Sequence, residues 1–507
     1  MIKSIKITAL VVLITTCGLT NVQAQSNLSF EQGMSGWLTK GTHISIDKTN
    51  AYAGKNCVKI GPGYGLVMQH IAAVPLAIVL YTDYIKTSDT LTKAYTFVRF
   101  YNKAHKLLLD YKSGAINKTT YQKEGNYTET PAETAYMEIG VESDRQNKGF
   151  VYADDFDIQN NIGVPKTAHA PTCNLKQYME PFWKGDTVYN ETVLLYSVNG
   201  QRADGKLMYM PSKILSVKKF DLSTTYKQDV DYTTNGNIIT RVNGSPINFK
   251  ADTSFDRKTD LAWFNDQSQW VVVTYTHHDK WDGPVPAYKG NMMPRTIAKL
   301  KAKQPLKIAA YGMSITRGFN VSGYDAVPPY MPNYVSLFAN ELKKNYHDKN
   351  ITLYNGGLPG SVVDWGAQYA DEYISALKPD LVIIDFGMND FWRYTPEQFK
   401  GYIETIIKKI RAKNPKVEFL LLSNMKFDPD YVLDSDKNKA WYLANMVGYS
   451  QVLKQMETKG IVNFDMTTLS DAIYHHKKAK DCIANPLHPN DYLARWYAQG
   501  MTALLSR

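Results

Sequence analysis

The chain has 507 residues, 44% of them hydrophobic, and a formal charge of +10, a length that calls for two to four domains rather than one core. Its lysines are scattered without a long basic run, which fits a solvated surface better than a nucleic-acid interface, although an acidic polysaccharide would gain from the field. After the first residues no stretch is apolar for long enough to span a bilayer, and the few, widely spaced cysteines exclude a disulfide framework and any zinc-site spacing.

The first segment reads as a leader. Lys3 and Lys6 precede the apolar run Ile7 to Ile14, and Val22-Gln23-Ala24 places small residues at the −3 and −1 positions. The pattern predicts a signal peptide over 1–24 cut before Gln25, in preference to lipidation at Cys17, and a secreted or periplasmic protein. Cys57, Cys173 and Cys482 then remain. A single Cys57–Cys173 bridge is compatible with that set, but nothing in the pattern selects it.

Residues 25–162 read as all-β. Cys57-Val58-Lys59-Ile60, Ile78 to Thr82 and Tyr95 to Tyr101 are rich in β-branched and aromatic residues and are separated by Gly, Asn, Asp and Lys. That rhythm predicts a sandwich or jelly roll. Asn27-Leu28-Ser29-Phe30-Glu31, Gly36-Trp37, Ala53-Gly54-Lys55 and Tyr152 to Asp157 occur in an order that resembles the carbohydrate-binding modules of secreted glycan-active enzymes. The resemblance implies a glycan partner and places Glu31 and Asp155 near a structural calcium; a solvated carboxylate is the plain alternative for each. Trp37, Tyr52 and Tyr64 are candidate sugar platforms, with a core position the stronger reading for Trp37.

Residues 170–298 form a second β-rich stretch, expected as an accessory sandwich. Val193 to Tyr196, Ile238 to Thr240 and Trp270 to Tyr275 look like strands, and Asn235-Gly236 and Asn243-Gly244 are turn signals. His277-His278-Asp279 invites a metal reading, but adjacent strand residues face opposite ways, so the two imidazoles do not readily share one ion.

From 303 to 507 the period changes. Strands at Leu306 to Ala310, Ile351 to Tyr354, Leu381 to Phe386, Val417 to Leu422 and Ile461 to Phe464 alternate with helical patterns at 331–346, 366–377, 396–412, 437–458 and 490–504. Alternation of this kind predicts a parallel sheet covered on both faces. Right-handed crossovers put every strand's carboxyl end on one rim, where such sheets bind ligands.

Four residues fall on or near that rim. Ser314 follows the first strand at a tight strand-to-helix turn, where a serine is either an exposed nucleophile or a helix cap. Gly357 follows the second strand, where glycine lets a backbone N–H approach a ligand or simply makes a turn. Asn389 follows the third and could aim its amide at a developing oxyanion or bond its own backbone. His488, before the last helix, has the chemistry of a general base, although a loop histidine is usually solvated.

In this order and context Ser314, Gly357, Asn389 and His488 resemble the SGNH or GDSL hydrolases, over about residues 305–505. Thr274 to His277, Trp281 to Pro284, Pro328 to Pro332 and His488-Pro489-Asn490-Asp491 extend the likeness to secreted bacterial members with an extra β-domain. The resemblance implies a flavodoxin-like α/β/α fold and ester hydrolysis without a cofactor. Ser314 would be the nucleophile, His488 the base and acid, and Ser314 N–H, Gly357 N–H and the Asn389 side chain the oxyanion donors. Two positions depart from the family. Met313 replaces the aspartate of Gly-Asp-Ser, and Asn485 stands three residues before the histidine where the triad aspartate belongs; in a serine protease the analogous change costs about 10,000-fold. Asn485 or a backbone carbonyl as orienter in a dyad, Asp481 or a distant acid as substitute, and weak or absent catalysis are the three explanations, the dyad being favoured. The expected activity is removal of acetyl or a similar small acyl group from an acylated polysaccharide or oligosaccharide. A glycan-binding protein with a degenerate hydrolase domain and a lipase or phospholipase are the alternatives.

Overall fold

The computed structural model describes residues 27–41, 43–73, 78–113, 115–131, 134–162, 170–251, 267–428 and 436–506. The expected leader, its cleavage point and Cys17 lie outside them. The chain divides into two compact units, Met1–Val164 and Pro165–Arg507.

The first unit is a sandwich of two five-stranded antiparallel sheets. One runs in the order Leu38–Gly41, Gly65–Ala72, Tyr136–Ser143, Ala94–Tyr101, Leu107–Lys112; the other Ile44–Asp47, Cys57–Ile60, Val151–Ile162, Ile78–Thr87, Gln122–Glu129. Period-two alternation turns Val67, Ile85, Val141 and Val151 inward to a common core with Phe30 and Trp37. Trp37 is stacked on Phe30 at 4.6 Å between centroids and is 6% exposed, so it is core and not a sugar platform. Tyr52 does reach solvent, stacked on Tyr84 at 3.6 Å. Tyr64 is half-buried under Arg145.

In the second unit the accessory β-rich segment and the α/β segment are not separate bodies but one compact whole. The accessory part holds a four-stranded sheet, Thr187–Leu194, Trp270–His277, Pro211–Lys219, Thr225–Tyr226, and a five-stranded one that includes the Tyr232–Asn235 and Ile238–Arg241 hairpin. Gly236 supplies the positive φ of +59° that this hairpin turn needs. His277 is buried, stacked on Tyr209 at 4.1 Å, with Nδ1 against the Asp279 carbonyl; burial holds its imidazole below the usual range. Among the described residues no three His, Cys, Asp or Glu side chains converge as metal ligands.

The α/β part is a five-stranded parallel sheet in the order Ile351–Gly357, Leu306–Gly312, Leu381–Asp385, Glu418–Ser423, Ile461–Asp465. Its four strands other than the edge strand Ile351–Gly357 are almost wholly buried, as two covered faces require. Helices Tyr334–Asn345, Val363–Tyr373, Pro396–Lys413, Lys439–Gln455 and Asp491–Leu505 stand where the periodicity places them, within a few residues. Pro294–Lys301 and Met466–His476 are additional helices. No helix among the described residues is long and apolar enough to cross a membrane.

Within the second unit, the accessory and α/β parts are joined by charge as well as by packing. Lys477, with no exposed side-chain surface, bonds Glu191 Oε1 at 2.5 Å and the Thr192 carbonyl at 2.7 Å. Glu191 also accepts Met208 N–H and Tyr275 O–H. This ties the Thr187–Leu194 strand of the accessory part to the segment that leads to His488.

Candidate active site

Ser314 opens a single helical turn, Ser314–Arg317, directly after strand Leu306–Gly312. Thr316 fixes that turn. Its hydroxyl accepts Met313 N–H at 3.1 Å and donates to Asp385 Oδ2 at 2.7 Å. Asp385, fully buried at the end of the third strand of the sheet by chain order, also receives Tyr334 O–H and Asn424 Nδ2, each at 2.6 Å. One carboxylate thereby holds the strand ends that form the rim. Gly318, at φ +100°, then releases the chain from the turn.

His488 arrives from the far end of the sequence on a small ribbon. Ile483–Asn485 pairs antiparallel with His488–Pro489, and the register sets Asn485 opposite His488. Asn490 caps the last helix through Tyr492 and Leu493 N–H, while its amide donates to the Asp481 carbonyl and Thr192 Oγ1. The imidazole so placed has Nε2 2.7 Å from Ser314 Oγ. Ser314 is 7% exposed, and burial pushes the imidazole down to about 4.

On the other side of the ring Asn485 Nδ2 lies 2.8 Å from His488 Nδ1. The orientation of this amide is fixed by its other bonds: Oδ1 accepts Leu487 N–H at 3.0 Å and Nδ2 donates to Asn320 Oδ1 at 2.7 Å. An amide nitrogen only donates, so Nδ1 presents its lone pair and the ring proton sits on Nε2. In that tautomer the imidazole donates to Ser314 rather than taking its proton.

The remaining site residues are close in the fold. Gly357 pairs in register with Gly312, and its N–H donates to Asn355 Oδ1 at 3.0 Å. Asn389 donates to the Ser361 carbonyl at 2.9 Å, and Ser361 Oγ donates to the Gly312 carbonyl at 3.0 Å. Asp390 holds the Asn389 loop by accepting Gly387 N–H and Val363 N–H. An amide has two N–H groups, and the bond to the Ser361 carbonyl uses one of them. The sheet's rim thus gathers a hydroxyl, an imidazole and amide donors, the equipment of acyl transfer.

Asp481 does not orient His488. Its Oδ1 accepts Leu194 N–H at 2.7 Å, and it lies in the field of Lys477 and Glu191. Glu31 and Asp155, expected near a structural calcium, belong to no cluster of three His, Cys, Asp or Glu side chains that could hold a metal ion among the described residues. Glu31 Oε1 already accepts Lys55 and Asn56 N–H, and it is Asp154 that binds the neighbouring Tyr52 and Ala53 N–H groups. All three described cysteines are free. Sequence reasoning missed Asp385, Thr316, Tyr334 and Asn320. A lone acidic residue closing the apolar run Leu381 to Ile384 was the available signal for Asp385.

Comparison with solved structures returns low-identity likenesses to parts of the chain. A two-domain esterase active on acetylated mannans, co-crystallised with mannopentaose, is 21% identical over 44% of this chain and 56% of its own, with a TM-score of 0.34. An acetyl xylan esterase is 18% identical over 39% of this chain and 98% of its own, at 0.31. A family 16 carbohydrate binding module is 19% identical over 27% and 98%, at 0.24. No curated protein sequence matches the chain. The family model of the GDSL-like lipases and acylhydrolases matches residues 310–495. Ser314, Gly357, Asn389 and His488 all lie within that span, so the second unit carries a GDSL-like lipase/acylhydrolase domain.

Proposed function

We propose that the protein is a secreted serine esterase that removes acetyl or a similar small acyl group from a polysaccharide. The observation that carries this reading is the 2.7 Å contact between Ser314 Oγ and His488 Nε2 at the rim of an acylhydrolase domain. Turnover requires the ring proton to move first from Nε2 to Nδ1, the tautomer that the Asn485 amide disfavours; Nε2 then takes the Ser314 proton as Oγ attacks the acyl carbon. Asn389 and the Ser314 N–H steady the tetrahedral oxyanion, and such a donor contributes roughly 3–4 kcal/mol. The ester C–O bond then breaks, and the sugar hydroxyl leaves with the proton from Nε2. Water, deprotonated by the same nitrogen, cleaves the acyl-serine to the carboxylic acid.

A glycan as the carrier of the acyl group is supported by the first unit. Its first sheet bears half-buried Tyr101, stacked on the buried Tyr136 at 5.0 Å, with His70 bonded to Glu138 and Arg99 bonded to Glu142. Aromatic faces beside fixed polar groups suit sugar rings. Acetate release from a panel of acetylated polysaccharides tests the reading. Ser314→Ala should abolish release without changing the fold, and full activity in that variant would refute the nucleophile.

The orientation of Asn485 favours one second reading, a glycan-binding protein whose hydrolase domain is inert. A serine-directed phosphonate separates the two. Labelling at Ser314 excludes the inert site, whereas a protein that resists labelling in its native state and releases no acetate supports it.

A further inference from the structure

His488 sits on a loop of chain that leaves the short turn Ala479–Asp481 and returns at Asn490, the cap of the last helix. The two ends of this loop are drawn together. Asn490 N–H donates to the Cys482 carbonyl at 3.0 Å, and Asn490 Nδ2 donates to the Asp481 carbonyl at 2.9 Å. At the tip, Asp428 N–H donates to the Pro486 carbonyl at 3.0 Å and fastens the loop to the α/β part.

The neck of the loop is fastened to the accessory part instead. Thr192, in strand Thr187–Leu194, is 1% exposed. Its hydroxyl donates to the Asp481 carbonyl at 2.5 Å and accepts Asn490 Nδ2 at 3.1 Å. One side-chain oxygen thus touches both ends of the loop. The same sheet repeats the tie, since Leu194 N–H donates to Asp481 Oδ1 at 2.7 Å and Trp270 Nε1 donates to the Lys480 carbonyl at 3.0 Å. The Asn490 oxygen takes two N–H groups of the last helix. A turned amide would set that oxygen against the Asp481 carbonyl, so the junction has one arrangement.

The reacting contact needs such a junction. His488 Nε2 lies 2.7 Å from Ser314 Oγ, and a displacement of about 1 Å at a reacting group can cost about 100-fold in rate. Pairing between Ile483–Asn485 and His488–Pro489 fixes the ribbon's own shape, but not where the ribbon stands relative to Ser314. Its anchorages at tip and neck do that, and the neck anchorage comes from the accessory part.

We propose that Thr192 is a positioning residue for the general base: through its bonds to Asp481 and Asn490, the accessory β part sets the place of His488 against Ser314. The proposal rests on the esterase reading and deepens it by naming what holds the base. The accessory part then contributes to the reactivity of the serine, whatever acyl ester the protein takes.

The test uses the full chain. Thr192→Val keeps the branched shape that suits a strand and withdraws the hydroxyl; Thr192→Ser returns it. Turnover of 4-nitrophenyl acetate is measured per active site, the sites being counted by complete labelling with a serine-directed phosphonate. In Thr192→Val kcat should fall about 10- to 100-fold with KM unchanged, and Thr192→Ser should recover most of the loss. A threonine that only stabilises the fold would lower the urea midpoint and leave kcat per site as in wild type. That result, or a Thr192→Ser as slow as Thr192→Val, would overturn the proposal. A wild-type chain that neither cleaves the ester nor takes the phosphonate would instead refute the esterase reading.

A second measurement then judges Thr192 alone: the NMR signal of the His488 Cε1 proton, identified by its loss in His488→Gln. It should move or broaden in Thr192→Val and match the wild type in Thr192→Ser; an unmoved signal in Thr192→Val would overturn the proposal. Should Thr192→Val fail to fold, Asn490→Asp takes its place, because a carboxylate keeps both cap bonds but has no hydrogen for Thr192 or Asp481. It should show the same displaced signal, and a wild-type signal there would overturn the proposal.

Discussion

Asn485 turns its amide nitrogen, not its oxygen, toward His488 Nδ1, at 2.8 Å. The Leu487 N–H on Oδ1 makes a rotated amide costly, because rotation would set two N–H groups face to face. The resting imidazole is therefore held in the tautomer that cannot accept the Ser314 proton. Replacing Asn485 with Asp removes the conflict: a carboxylate accepts from Nδ1–H and from Leu487 N–H together. Asn485→Asp should raise kcat by about 100-fold or more, given the cost of about 10,000-fold for the reverse change in a serine protease.

The same substitution should move the pH profile. Burial pushes His488 down to about 4, so the wild-type kcat/KM should rise near pH 4 and stay flat through neutrality, the base being deprotonated above its pKa. A carboxylate at position 485 favours the imidazolium, so the rising limb should shift to higher pH in Asn485→Asp. A limb that stays near pH 4 while kcat rises would show that the new carboxylate acts without facing the ring.

Gly357→Ala should abolish esterase turnover and destabilise the domain. A Cβ there would collide with the Arg317 backbone nitrogen and lie 2.8 Å from the Met313 carbonyl, both in the turn that carries Ser314. Backbone on both sides cannot rotate away, so the strand pair Gly312–Gly357 must open. Overpacking of this kind costs about 1–3 kcal/mol. Urea unfolding together with acetate release checks it, and a fully active, fully stable variant would mean that the turn relaxes easily.

The positions of Ser314, Gly357, Asn389 and His488 in the fold were legible because each lies at or just beyond the end of a strand or just before a long amphipathic helix, so local pattern alone places it. The joining of the accessory strands to the acylhydrolase part was not. Glu191 meets Lys477 across 286 positions and Thr192 meets Asn490 across 298, and no local period encodes such pairs. Helix Met466–His476 was hidden differently. Asp465 caps it through Thr468 N–H, and its buried Met466, Leu469 and Ile473 do keep helical spacing, but it follows a strand without a turn signal and so reads as the strand's continuation. The tautomer of His488 was illegible in principle, since it depends on a backbone N–H and on Asn320, 165 residues from Asn485.

Lys477→Met should destabilise the second unit by about 3–5 kcal/mol, the cost of stranding a buried charge. Glu191 would keep Met208 N–H and Tyr275 O–H but lose its counter-ion. Adding Glu191→Gln to that variant should restore part of the loss, because a neutral amide needs no cation. Chemical denaturation of the two variants reads the difference. Equal stability in wild type and Lys477→Met would show that the ion pair only balances its own desolvation.

Stability should also fall as pH rises from about 5 to 7, contrary to the behaviour of proteins governed by surface ion pairs. Burial pushes the carboxyl of Asp390 up to about 7 and those of Asp385, Asp481 and Asp491 up to about 6. An unfolded aspartate titrates near 3.9, so in this window the folded chain holds more protons than the unfolded one. Stability contributed by these protonated forms is present at the acid end and is lost as pH climbs through the folded values. His488 acts in the opposite sense, since its depressed folded value makes the unfolded chain the better proton binder between about pH 4 and 6.5. His277, also depressed by burial, adds to His488, and Asp83 in the first unit, pushed up to about 8, adds to the carboxyls. Five carboxyls outweigh two imidazoles, and the free energy of unfolding measured in urea at successive pH values should slope downward. An upward slope across that window would mean that the N–H and O–H donors around Asp385 and Asp390 keep both carboxylates ionised despite their burial.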